Sequence, residues 1–189
     1  MRRAFVLLAL LVAAPAYFDA QTAEQRLPVC LACHGAQGVS GNEGVPSLGA
    51  MPTDFLLIQL YLFCEKQRVV APMNAMAAGL TDDDLRTLAD ALTKLPPPPP
   101  VGAALEAAER EQGRALAQQY RCTSCHGADF SGHDQMPRLA GQREEYLVKS
   151  LTEYKSNARP GYDPAMNEVA QEVKAADIAP LARYLARFR

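Results

Sequence analysis

Two short segments concentrate the residues able to do chemistry: Cys30-Leu31-Ala32-Cys33-His34 and Cys122-Thr123-Ser124-Cys125-His126. Both read C-x-x-C-H, the attachment signature of c-type haem. On a helical turn residues i and i+3 share a face, so the two thiols of one motif reach the two vinyl groups of a single porphyrin and form thioethers. The adjacent histidine then lies beneath the iron. Each motif is followed by glycine, and together they use four of the five cysteines and two of the three histidines. Three other chemistries compete. A zinc ribbon sets its C-x-x-C pairs about 15 to 20 residues apart, whereas Cys30 and Cys122 are 92 apart. A thioredoxin-like dithiol belongs beside a βαβ pattern, and no strand-rich run is visible; a structural disulfide within each motif is the third. The fifth cysteine, Cys64, falls in an apolar helical pattern and reads as a small buried hydrophobe.

The elements that must position these motifs occur twice. The chain aligns with itself at an offset of 91 to 93 residues: Pro46-Ser47-Leu48 with Pro137-Arg138-Leu139, Phe55, Leu56, Leu60, Phe63 and Arg68 with Tyr146, Leu147, Leu151, Tyr154 and Arg159, and Met73-Asn74 with Met166-Asn167. Leu85, Leu88, Ala89, Leu92 and Leu95 lie opposite Ile178, Leu181, Ala182, Leu185 and Phe188. Their i, i+3, i+4, i+7 spacing is the stripe of a helix with one buried face. Helices are expected over 53–66, 81–95, 106–120, 143–156 and 174–187, with a further short helix before Cys30 that Pro28 shortens or distorts. Thr81 before three aspartates supplies a capping hydroxyl and negative charge at the positive end of the helix dipole. The pattern is all-α: a tandem duplication with one haem per half. Between the halves Pro96–Pro100 favours an extended spacer of roughly 15 Å.

An iron bound by one histidine needs a second axial ligand. His133 sits seven residues beyond His126 on a Gly-rich loop and reads as a loop histidine; methionine is the remaining soft donor. Met73 and Met76 are both candidates in the first half, but Met76 aligns with Val169 and Met73 with Met166. The repeat therefore selects Met73 and Met166, and Met51 and Met136 are left as packing residues. Iron held by His and Met has no open position for a substrate, so the expected activity is electron exchange rather than the transformation of a small molecule.

Composition bounds the rest. Of 189 residues, 49% are hydrophobic and 7% aromatic, with no Trp, so a covalently held porphyrin is expected to fill part of two small cores. A formal charge of −2 argues against nucleic acid and anionic lipid as targets. Arg2-Arg3, the apolar run from Ala4 to Ala14 and small residues before Ala16 read as a secretory signal peptide over 1–16, cleaved as late as about residue 20, with an uncleaved anchor as the alternative. Export to the periplasm follows. The remaining organisation is then 17–95 for the first domain, 96–105 for the linker and 106–189 for the second. Residues 17–95 carry five basic and nine acidic side chains, and 96–189 carry twelve of each, an asymmetry that suits different partners for the two domains.

The tandem C-x-x-C-H halves, the Pro-Arg-Leu-Ala-Gly-Gln segment at 137–142, the Met-Asn-Ala-Met-Ala-Ala-Gly-Leu-Thr-Asp segment at 73–82 and the proline linker resemble the dihaem cytochrome c4 family over almost the whole mature chain. The resemblance implies two all-helical cytochrome c domains, each with a covalent haem c, packed about a pseudo-twofold axis. It also implies that the Pro46 and Pro137 carbonyls accept hydrogen bonds from Nδ1 of His34 and His126. The partners implied are redox proteins: a quinol-oxidising complex or a dehydrogenase as donor and a terminal oxidase as acceptor, with peripheral membrane association. Two alternatives stand beside a free carrier: a dedicated electron-accepting subunit of a dehydrogenase, as in flavocytochrome c, and a dihaem peroxidase. The first half departs from the pattern, with Ala50-Met51 where the second has Gly141-Gln142.

Overall fold

A computed structural model describes residues 23–159 and 164–189; the segment read as a signal peptide lies outside them. The described residues form α1 (Ala23–His34), α2 (Thr53–Cys64), α3 (Ala71–Ala77), α4 (Asp82–Thr93), α5 (Ala107–Gln119), α6 (Thr123–His126), α7 (Glu144–Lys155), α8 (Ala165–Glu172) and α9 (Ala175–Ala186). Among them no strand occurs beyond an isolated bridge between His133 and Met136. The five helices expected from periodicity are present, each a residue or two shorter at its ends. The caps explain the starts. Thr81 and Asp84 form a reciprocal capping box at α4, and Glu106 and Glu109 do the same at α5.

Two expectations about helices need correction. The helix before Cys30 does not stop there: α1 runs unbroken through Pro28 and the whole first motif. Pro28 is exposed, so its ring meets solvent rather than a neighbour, and α1 keeps its course with one backbone donor missing. In the second half α5 ends at Gln119, Arg121 turns the chain with φ of 55°, and the separate turn α6 carries the motif. The short helices α3 and α8, which carry Met73 and Met166, have no counterpart in the periodicity reading. With seven and eight residues they are too brief for a 3.6-residue stripe to register.

Each half builds its own core around its last helix. α1 and α2 pack on α4, and α5 and α7 pack on α9. Leu85, Leu88, Ala89 and Leu92 of α4, and Ile178, Leu181, Ala182 and Leu185 of α9, are buried as the repeat requires. The two cores are filled differently. In the second half Phe130, Tyr184 and Phe188 stack edge to face, with centroid separations of 4.8–6.2 Å. Tyr184 also lies so close to α5 that a Cβ on Gly113 would fall 2.2 Å from its own Cβ. The first half has Gly38, Ala91 and Leu95 at the corresponding places and relies on Leu56, Leu62, Phe63, Leu80 and buried Met51.

The proline segment is packed rather than free-standing. Pro98 is buried, and its carbonyl passes 2.3 Å from where a Cβ on Gly141 would stand. Gly141, at φ of 73°, is thus required twice over, by its backbone and by the linker above it. Similar hydrogen bonds tie each half's loop to the C-terminal end of its last helical segment, through acceptors that are not repeat-equivalent: Ala50 N–H to the Leu95 carbonyl just past α4 at 2.9 Å and Gly141 N–H to the Leu185 carbonyl of α9 at 3.2 Å.

Candidate functional site

Both motif histidines are buried, His34 at 6% and His126 at 8% exposure. Nδ1 of His34 donates to the Pro46 carbonyl at 2.8 Å, and Nδ1 of His126 to the Pro137 carbonyl at 2.9 Å. These bonds fix each ring's orientation and tautomer and leave Nε2 with its lone pair free, the form in which imidazole binds a metal. Burial holds both rings below their ordinary pKa, while the proline carbonyls pull the other way. The neutral ring is therefore the one present at pH 7.

The cysteines are unpaired thiols, Cys30 and Cys122 half-buried, Cys33 and Cys125 exposed. Burial pushes the Cys30 thiol up and the Cys122 thiol up to about 11. A redox-active dithiol has its first thiol pulled down instead. Cys64 packs in the first core with Sγ 3.8 Å from the Leu80 carbonyl, and His133 is an exposed loop residue bonded to Asp134.

Met73 and Met166 are half-buried against the cores of their own halves, whereas Met76 is 48% exposed. The neighbouring asparagine holds each methionine helix in place. Oδ1 of Asn74 accepts from Val70 N–H at 2.7 Å, and its Nδ2 donates to the carbonyls of Phe63 at 2.8 Å and Arg68 at 2.9 Å. Asn167 Nδ2 donates to the corresponding carbonyls of Tyr154 at 3.2 Å and Arg159 at 3.0 Å. The same amide thus closes the same loop twice. The repeat places Asn beside Met in both halves, but a sequence does not say which backbone groups an amide will reach.

Between the halves lies a polar seam that composition does not reveal. Arg68 and Arg159, equivalent in the repeat, converge there at 9% and 5% exposure. Both donate to Oε1 of Gln59, at 2.6 and 3.1 Å, and both reach the Tyr146 hydroxyl at 3.4 Å; Arg159 also donates to Ser150 Oγ at 3.1 Å. Among the described residues no carboxylate lies within ion-pair distance of either guanidinium, and Nε of Arg68 is buried without a partner. Burial would push the Tyr146 phenol up, but attraction to Arg159 and Arg68, with hydrogen bonds from Arg68 and Ser150, brings it down to about 7. Nearby, Gln142 and Met51 each cross to the other half. Gln142 bonds the backbone N–H and carbonyl of Ser47 at 2.7 and 2.9 Å, and Met51 Sδ accepts from Arg138 N–H at 3.2 Å. Met51 is therefore more than a packing residue.

Known proteins share this build. The family model for cytochrome c matches residues 110–188. Cytochrome c4 of Azotobacter vinelandii is 31% identical over 186 residues, 88% of either chain. The chain belongs to the cytochrome c4 family. The thiosulfate dehydrogenase electron acceptor of Thiomonas intermedia is 35% identical over 190 residues, covering 94% of this chain and 86% of its own. The crystal structure of reduced recombinant cytochrome c4 from Pseudomonas stutzeri superposes with a TM-score of 0.78 at 27% identity, covering 90% of this chain and all of that one. This cytochrome is accordingly an all-helical pair of cytochrome c domains with two covalently attached haem c groups, built for electron transport.

The residues present suit that cofactor. Two thiols and a neutral buried imidazole stand at each motif, and a half-buried thioether stands on the short helix before the last in each half. The seam adds a further point of agreement. Among the described residues neither buried guanidinium has a carboxylate within ion-pair distance and one has an orphaned Nε; such groups call for anions, and each haem brings two propionates. Arg68 and Arg159 were visible in the repeat as a matched pair; their burial was the missing signal.

Proposed function

We propose that Cys30 and Cys33 would hold one haem and Cys122 and Cys125 the other, with His34 and Met73 as the ligands available to one iron and His126 and Met166 to the second. Pro46 and Pro137 orient the histidines, and the domains run over 17–95 and 106–189, joined by 96–105. Repetition is what supports this reading: both halves have a buried histidine bonded through Nδ1 to a proline carbonyl and a methionine helix pinned by the adjacent asparagine. A haem held by these residues would supply one-electron exchange, and with His and Met both engaged there would be no open position for a substrate. The protein's part is to hold donors in fixed orientation, so that little reorganises when charge changes, and to exclude water around the imidazoles. Removal of the leader before Tyr17 delivers the chain to the periplasm. There it receives electrons from a quinol-oxidising complex or a dehydrogenase and passes them to a terminal oxidase. From Val69 to Leu80 there is no charged side chain, and Val69 and Met76 stand exposed around Met73, a face suited to brief contact with a redox partner.

Haem staining after denaturing electrophoresis, with intact mass, reads two covalent haems on a chain starting at Tyr17. Met73→Ala and Met166→Ala each remove about half of the far-red absorption that thioether-ligated ferric haem shows. Full retention of that band in either variant rejects its axial assignment. A second reading, a dedicated acceptor subunit of a dehydrogenase, is favoured by the Thiomonas relative. It requires stable co-purification with the enzyme and fast reduction by it, where a free carrier is recovered alone.

A further inference from the structure

Resting on the axial assignment above, we infer that each proximal histidine is tuned from the opposite domain through a single peptide group, and that the two domains do this with acceptors of unequal strength. The Pro46–Ser47 peptide has both ends engaged. Its carbonyl accepts from His34 Nδ1–H at 2.8 Å, and its N–H donates at 2.7 Å to Oε1 of Gln142 in the second domain. The Pro137–Arg138 peptide is used in the same way: its carbonyl accepts from His126 Nδ1–H at 2.9 Å, and its N–H meets Sδ of Met51 in the first domain at 3.2 Å. Met51 and Gln142 occupy one repeat position, as do Ser47 and Arg138, so the two relays are pseudo-twofold copies.

An acceptor at a peptide N–H pushes electron density toward the carbonyl oxygen of the same unit, and hydrogen bonds in series strengthen one another. A stronger pull on Nδ1–H makes the imidazole a better electron donor to its iron, which favours the ferric state and lowers the potential. An amide oxygen is a strong acceptor and a thioether sulfur a weak one. The first relay is also dry and well braced. Ser47 and Gln142 are 1% and 2% exposed, Gln142 Nε2 returns a bond to the Ser47 carbonyl at 2.9 Å, and its Oε1 also takes Arg143 N–H at 3.0 Å. The relay therefore lowers the potential of the His34 site relative to the His126 site.

The experiment uses the dihaem protein with Gln142→Met, Met51→Gln and the double exchange. Potentials are assigned to each haem by NMR-monitored redox titration, and the imidazole Nδ1–H resonances of the ferrous protein are recorded alongside. Gln142→Met is expected to raise the first haem's potential by about threefold in its one-electron equilibrium constant, about 28 mV at 59 mV per tenfold. The second haem should stay put, and the His34 Nδ1–H resonance should move upfield. Met51→Gln is expected to lower the second haem's potential and shift the His126 resonance the other way. A variant that moves both potentials equally, or neither, or moves a potential without the matching histidine resonance, overturns the relay and leaves these residues as interdomain glue. Should Gln142→Met fail to fold, Met51→Gln decides alone. The axial assignment fails separately, by absence of far-red absorption in the unsubstituted protein.

Discussion

Asn74→Ala tests whether the methionine helix is held by one amide. The side chain makes three hydrogen bonds to the main chain, from Val70 N–H and to the Phe63 and Arg68 carbonyls, all between 2.7 and 2.9 Å. At about 0.5–1.5 kcal/mol each, the loss of all three is expected to cost about 1.5–4.5 kcal/mol, less what water recovers at this half-buried site. The cost falls on a seven-residue helix with little stability of its own, so α3 should open before the rest of the domain. The assay is paired: denaturant unfolding for the global change, and far-red absorption against temperature for Met73. The band of the first haem should fade well below the unfolding midpoint in Asn74→Ala and persist to it in the parent. Asn74→Asp should do no better, because a carboxylate keeps the Val70 bond but turns one acceptor oxygen on two carbonyls. A change in unfolding free energy below about 0.5 kcal/mol together with an unaltered band would refute the reasoning.

Gly113→Ala should destabilise the second domain by about 1–3 kcal/mol through overpacking, because the new methyl falls 2.2 Å from Tyr184 Cβ; a thermal melt of the holoprotein reads it. Ala50 takes φ of 49° at the place where the second half has Gly141; Ala50→Gly should therefore relieve left-handed strain and raise stability by about 0.5–1 kcal/mol, and a lowered melting temperature would contradict this. Thr81→Ala should cost about 1 kcal/mol by removing the α4 cap. Asp84 is held below the usual carboxylate range by hydrogen bonds from the Thr81 backbone and hydroxyl, so its contribution is present above the ordinary aspartate value of about 3.9 and lost as pH falls through its lower folded value. Asp84→Asn should accordingly weaken the protein at pH 7 and converge with the parent in acid, as read by urea unfolding at both pH values.

What could be read from the sequence was whatever repeats or has a long period. The two C-x-x-C-H motifs, the apolar stripes of α4 and α9 and the preference for Met73 over Met76 all rest on comparing one half with the other; Met76 is 48% exposed. What could not be read depends on where the halves meet. Proline at position 28 suggested a shortened or distorted helix, yet α1 runs on through the motif with the ring exposed, so local preference did not set the helix's extent. Met51 looked like filler because its partner, Arg138 N–H, is 87 residues away. The linker looked like a spacer because five prolines cannot show that Gly49 and Gly141 will press against their carbonyls.

Duplication gives two equal halves, but an electron relay gains direction only when they differ, and the differences here are concentrated rather than diffuse. The second domain has an aromatic trio where the first has Gly38, Ala91 and Leu95; the first carries the excess of acidic residues; and the exchanged pair Met51 and Gln142 lies at the seam where each domain touches the other's histidine loop. The shared features, Asn beside Met, Arg at the seam and a proline carbonyl on each imidazole, keep both sites competent. The unshared ones act on polarity, docking and hydrogen-bond strength, which are the quantities that set potential and partner without disturbing ligation. A mutation that restores symmetry at position 51 or 142 therefore acts on the difference between the sites while leaving each site's ligands where they are.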